Sequence, residues 1–170
     1  MIQRMVVAVL AVGMAMHGLG EKGFAEQNAT PKSKAQAKNT SAGAGAVDKA
    51  YLQKIWDGWA TLDPVGQKQY YAQGPHLFFD IAPLKYGSWD EYQSGVTKVL
   101  EDFKAAHFKV NDDAQIHRSG DAYWITATVA FEMTHKSGKI DMGNFRWTAV
   151  FEKQAGKWLI VHEHVSSPQP

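Results

Sequence analysis

The sequence contains no cysteine. Disulfides, thiolate nucleophiles and cysteine metal sites are therefore all excluded, and stability has to come from packing. Charge of one sign is lacking too. From Val47 to Ser167 the chain carries 13 Lys and Arg against 15 Asp and Glu, a net charge near −2. No basic stripe is present to meet nucleic acid or an anionic membrane surface. No apolar run reaches the ~20 residues that a spanning helix needs. The longest one, Met5–Met16, follows the positive charge of Arg4. Gly18-Leu19-Gly20 and Gly23-Phe24-Ala25 then supply small residues at the positions a signal peptidase reads. This layout is expected for a secretory leader over residues 1–25, cleaved after Gly20 or Ala25, and it places the mature protein in the periplasm or outside the cell. No other membrane association is implied.

Residues 26–46, EQNATPKSKAQAKNTSAGAGA, lack aromatics and large aliphatics. Such a stretch cannot bury enough apolar surface to offset its ordering entropy, so it reads as a disordered linker. It carries sequons at Asn28 and Asn39, which matter only in a host that glycosylates.

What is plentiful is aromatic: six Trp, eight Phe and six Tyr. One domain over residues 47–167 accommodates them. Asp48 caps a first helix with Leu52, Ile55, Trp59 and Leu62 at helical spacing. Asp63-Pro64 starts a second helix carrying Tyr70 and Tyr71 that must stop at Gly74-Pro75. Leu77–Ile81 reads as a short strand. Ser88-Trp89-Asp90-Glu91 is a capping box, and the helix behind it aligns Tyr92, Val96, Val99, Leu100 and Phe103. From Phe108 the period switches to two. Turn signals at 119–121, 137–139 and 155–157 separate strands at about 108–117, 122–134, 140–153 and 157–166. Helices followed by a meander predict an α+β fold with the helices on one face of an antiparallel sheet.

Alternation sorts those faces. Tyr123, Ile125, Ala127, Val129, Phe131 and Met133 share one side of their strand, and Phe145, Trp147, Ala149 and Phe151 share one side of the next. A three-residue loop at Gln154–Gly156 pairs Val150 with Ile160, Thr148 with His162 and Arg146 with His164. Leu159, Val161, Glu163 and Val165 then join the aromatic face, and Trp158, Ile160, His162 and His164 turn away from it. The mixed face, with Arg146, Thr148, His162 and His164, is too apolar to be left to water. A second copy of the chain covers it economically, which predicts a homodimer.

The N-terminal helix with paired Trp, the segment FFDIAPLKYGSWDEY and the closing RWTAVFEKQAGKWLIVHEHVS resemble the SnoaL-like domains of the nuclear transport factor 2-like superfamily. The last segment is also similar to the calcium/calmodulin-dependent kinase II association domain, with its Gly-Lys-Trp and His-x-His-x-Ser pattern. The resemblance covers residues 47–167. It implies a cone, a strongly curved antiparallel sheet wrapped around N-terminal helices with a pocket open at one end, in a homodimer. It does not fix a reaction, because the same cone serves isomerases, dehydratases, cyclases and inert scaffolds. The kinase-associated members carry pocket arginines. Ala149 and Val165 stand at the matching positions here, so anion binding of that kind does not carry over.

Each candidate has competing readings. His162 and His164, two apart on a strand, share a face as metal ligands must, but a metal needs a third ligand. None follows before the chain runs out in SSPQP, so no metal and no cofactor is expected and the pair reads as structural. Glu163 is the one acid on an apolar row. Buried, it has a raised pKa and is suited to proton transfer; at the strand end it is merely wetted. Asp80 either caps the next turn or serves as a base at the pocket mouth, as Asp does in ketosteroid isomerases of the resembled superfamily. No counterpart to their Tyr-plus-acid oxyanion hole is evident. Trp56, Trp59, Tyr71, Phe79, Trp89, Phe145 and Trp147 are the expected pocket walls. The leading expectation is an exported domain that holds a small, largely apolar molecule. The alternative is an isomerase, dehydratase or hydrolase that moves a proton through Asp80 or Glu163.

Overall fold

In a computed structural model, residues 45–81 and 83–168 are described. The leader, most of the linker, both sequons and the cleavage positions lie outside them.

Helix α1, Lys49–Trp59, begins where Asp48 accepts a hydrogen bond from the Tyr51 N–H at 2.8 Å. It buries Leu52, Ile55, Trp56 and Trp59. Asp63 and Pro64 open α2 as expected, but it spans only Pro64–Gln67 and passes into a 3₁₀ turn, Lys68–Tyr70. Tyr71 lies beyond both, in extended backbone, because its neighbour Ala72 donates instead to the Ile160 carbonyl, 2.9 Å away. Strand β1 is reduced to Phe78–Phe79. Helix α3, Trp89–Leu100, starts at the predicted box: Ser88 accepts from the Glu91 N–H, and the Glu91 carboxylate reaches back to the Gly87 N–H at 2.7 Å. Tyr86 packs its ring onto α3 at Gly95, where a β-carbon would come within 2.3 Å of the Tyr86 hydroxyl.

Five longer strands follow: β2 Phe103–Val110, β3 Gln115–Ser119, β4 Ala122–His135, β5 Ile140–Gln154 and β6 Lys157–Ser166. The order is β1-β6-β5-β4-β2, with β3 also pairing to β4 and β1 running parallel to β6. The single strand expected over 108–117 is therefore two, and Phe103 belongs to β2 instead of α3. The break has a chemical cause. Asn111 and Asp113 turn their side chains onto Thr128 of β4, the Asp113 carboxylate accepting from both its N–H and its hydroxyl, so that beyond the Asn111 N–H bond to the Thr128 carbonyl a side chain takes the next place in the ladder.

The helices pack on the aromatic face of the curved, open sheet. Trp56 of α1 meets Phe108, Phe145 and Trp147 at ring separations of 5.1–6.2 Å. Gln53 fastens α1 to the β2 edge, accepting from the Val110 N–H and donating to the Phe108 carbonyl. The expected inward residues of β4 and β5 are inward.

The closing hairpin differs from the expected register. Ala155 and Gly156 both have positive φ, 48° and 81°, and form a two-residue turn. This pairs Lys153 with Trp158 and Phe151 with Ile160, so Trp158 and Ile160 face inward, 7% and 0% exposed. Leu159 and Val161, expected inside, are not on that row. An extra residue then intervenes. Phe151 pairs with Ile160 but Val150 pairs with His162, leaving Val161 as a bulge. Beyond it Glu163 and Val165 point inward, while His162 and His164 stay outside, as expected.

Candidate functional site

Between α1, α3 and the inner face of the sheet lies a cavity that opens to solvent at one end. Ile55, Trp56 and Trp59 of α1 and Tyr92, Val96, Val99 and Leu100 of α3 line it. The sheet contributes Phe108, Met133, Phe145, Trp147, Glu163 and Val165, and Asp80 and Ile81 follow β1. At the mouth, Ile81 and Val99 remain more than half exposed.

Glu163 is the feature that sets this cavity apart from an ordinary core defect. It is 2% exposed. The Tyr71 hydroxyl donates to its Oε1 at 2.9 Å and the Trp147 indole N–H to its Oε2 at 3.0 Å. Trp59 in turn donates to the Tyr71 oxygen at 3.2 Å, and the Tyr92 hydroxyl also hydrogen-bonds the carboxylate. Burial pushes the Glu163 pKa up from its ordinary 4.5 to about 7; the Asp80 charge adds to the rise, and the donors from Tyr92, Trp147 and Tyr71 oppose it. Asp80 is also raised, mainly by burial, although the Ile81 N–H at 2.7 Å pulls the other way. Tyr71 and Tyr92 are pushed far above their usual range by burial and by the carboxylate, so they remain protonated donors. Trp56 brings a further donor: its indole N–H is buried and has no partner among the described residues.

Of the expected walls, Trp56, Trp59, Phe145 and Trp147 line the cavity. Three do not. Tyr71 lies behind the wall and reaches the site through its hydroxyl alone. Trp89 stacks on Tyr71 at 4.5 Å and donates to Gln93, one layer further out. Phe79 sits on the opposite side of β1, its ring edge-on to His162 and His164 at 5.6 and 5.8 Å. Parity explains that last correction: Phe78 pairs beside the inward Glu163, so Phe79 must turn out. Asp80, one residue on, faces the cavity and accepts from the adjacent Ile81 N–H. Glu163 is not wetted at the strand end; its inward row is buried to Val165.

Val96, Val99, Leu100, Met133 and Val165 were legible as inward residues but not as walls. Tyr92 gave no signal as a partner of Glu163, because α3 and β6 are remote in sequence. On the outer face Arg146 and His164 are exposed and Thr148 pairs with His164. His162 donates from Nδ1 to the Leu77 carbonyl at 2.7 Å. Among the described residues no three His, Asp or Glu gather in a metal-binding group.

The family model for a SnoaL-like domain matches residues 68–170. The chain belongs to the SnoaL-like family. Solved structures agree at the level of fold. A putative calcium/calmodulin-dependent protein kinase II association domain from Xanthomonas campestris is 23% identical with a TM-score of 0.62, covering 70% of this chain and 84% of that one. A nuclear transport factor 2-like superfamily protein from Salmonella enterica is 20% identical with a TM-score of 0.62, covering 72% and 92%. A putative dehydratase from Streptomyces avermitilis is 12% identical with a TM-score of 0.61, covering 72% and 95%. No curated protein matches the chain. The fold is thus the cone of this SnoaL-like superfamily, α+β with an unclosed sheet around helices.

The raised pKa of Glu163 has a consequence for stability. The folded chain holds this proton more tightly than the unfolded chain does, so the stabilisation is complete below pH 4.5 and disappears as pH rises through about 7. The displacement from 4.5 to about 7 corresponds to about 3 kcal/mol. Asp112, Asp113 and Asp141 are held low and titrate beneath this window. The melting temperature is expected to fall between pH 5 and 8 in the wild type and to fall by clearly less in Glu163→Gln, where Asp80 is the remaining carboxyl raised by burial. Parallel profiles for the two proteins would contradict the assignment.

Proposed function

We propose that this SnoaL-like domain binds a small, largely apolar molecule in the cavity, with a polar group of the ligand set against Glu163. One observation carries the reading: an aromatic-walled hollow ends on a carboxylate that is buried and yet held by donors. Burying an acid costs stability, and the next inward position of β6, Val165, is filled with hydrocarbon instead. The Trp56 N–H, without a partner among the described residues, adds a second polar position that a ligand acceptor can satisfy. The neutral fluorophore N-phenyl-1-naphthylamine is expected to brighten on entering the cavity. Val96→Trp, which fills the space from α3, should weaken that binding at least ~10-fold, about 1.4 kcal/mol. Filling is a cleaner test than truncating Trp147, which costs about 3–5 kcal/mol of stability in its own right. Equal binding by wild type and Val96→Trp would count against the cavity.

A second reading is favoured by the Glu163–Tyr71 contact. A carboxyl titrating near 7 that faces the cavity and is held in orientation by a fixed hydroxyl has the makings of a general base. The relative from Streptomyces avermitilis described as a putative dehydratase lends this reading the fold, not the chemistry. A generic substrate tests it. In 5-nitrobenzisoxazole, loss of the C3 proton to a base breaks the N–O bond and releases a nitrile phenolate. Catalysis is expected to rise with pH through about 7 and to vanish in Glu163→Gln; a rate no higher than that of buffer would dismiss it.

The outer face with Arg146, Thr148, His162 and His164 is proposed as the homodimer contact, and residues 1–25 as a removed leader. Arg146→Glu and His164→Asp should then each elute as a monomer, and the exported protein's mass should begin after Gly20 or Ala25. An unchanged elution volume for both variants would argue against the dimer.

A further inference from the structure

We infer that the cavity selects a cation: a protonated or quaternary amine carried on a hydrocarbon body. This deepens the small-molecule reading above and rests on it. Among the described residues the charged side chains lining the cavity are two carboxylates, Asp80 and Glu163, with no Lys, Arg or His beside them. The rest of the wall is hydrocarbon and ring. Trp56, Trp59, Tyr92, Phe108, Phe145 and Trp147 surround the space, and ring faces attract cations through their negative quadrupole, indole most strongly. The Asp80 charge already raises the cost of ionising Glu163. An anionic ligand adds to that repulsion, and a neutral one leaves it in place. A cation between them offsets it in a setting where water and salt screen poorly.

The donors around Glu163 fit the same picture. Tyr71 and Trp147 occupy one carboxylate oxygen each and hold the group in place without neutralising it. Asp80, at the mouth side, accepts from the Ile81 N–H on Oδ1, and among the described residues its other oxygen accepts no hydrogen bond. Ile81 and Val99 at the rim admit an apolar body.

Three probes of similar shape separate the possibilities: benzyltrimethylammonium, its uncharged carbon isostere neopentylbenzene, and phenylmethanesulfonate. Affinities are to be measured at pH 8 by ligand-observed NMR with the full mature chain. The cation is expected to bind at least ~10-fold more tightly than the neutral isostere, equivalent to about 1.4 kcal/mol, and the sulfonate weakest. In Asp80→Asn/Glu163→Gln the ratio of cation to neutral affinity should collapse to about one. Should that variant misfold, the wild-type ratio decides alone. Neutral binding equal to or tighter than cation binding in the wild type overturns the inference and leaves the small-molecule reading standing. Failure of all three probes to bind overturns both.

Discussion

The last strand carries two different inward rows joined by one extra residue. Before Val161 the inward side chains are Trp158 and Ile160; after it they are Glu163 and Val165. Without the bulge the strand would continue on even numbers and drive His162 and His164 into the helical layer, with Glu163 outside. Two imidazoles would then need partners in an apolar interior, and the cavity would have no acid at its floor. A one-residue insertion in a ladder is a local kink, but here it decides the chemistry of the interior. Everything around Glu163 answers to it: the small Ala149 pairs opposite, Trp147 lies one inward position along β5, and Phe78 pairs beside it on the other edge.

The acid then ties distant parts of the chain together. Trp147 comes from the sheet, Tyr92 from α3, and Tyr71 from the extended segment after the 3₁₀ turn, itself stacked on Trp89 and bonded to Trp59 of α1. A carboxylate buried among rings is costly, and it is tolerable only because these donors converge on it. The same arrangement leaves its pKa near neutrality, so that the cavity floor is neither fully charged nor fully neutral at physiological pH. That property is useful to a binding site and to a proton-transfer site alike, and it is why the two readings share their residues.

Much of this was legible in the sequence because it is local. Asp48 and Ser88 declare their helices through short-range bonds, and the strict alternation from Tyr123 to Met133 and from Phe145 to Phe151 fixes which faces are inside. The closing hairpin was legible only in part. Trp158-Leu159-Ile160-Val161 is apolar at every position, so alternation is silent there and the turn must set parity. The two-residue turn moved the register by one and the bulge by one more in the same direction, which restores the parity but pairs Thr148 with His164 and Arg146 with Ser166 where His162 and His164 were expected. Glu163 and Val165 were therefore placed correctly, while Trp158, Ile160, Leu159 and Val161 were not. The walls were less readable than the core. Phe79 and Trp89 look like any lining aromatic in sequence, and only the parallel pairing of β1 with β6 and the stacking on Tyr71 remove them.

The claim beneath the account is that Glu163 is a buried, donor-held carboxyl that titrates near neutrality. Carbon-13 labelling of glutamate side chains and a pH titration of the Glu163 carboxyl shift, assigned by its loss in Glu163→Gln, tests this directly. The account predicts an inflection at about pH 7. An inflection near 4.5, the value of a solvated glutamate, would contradict it.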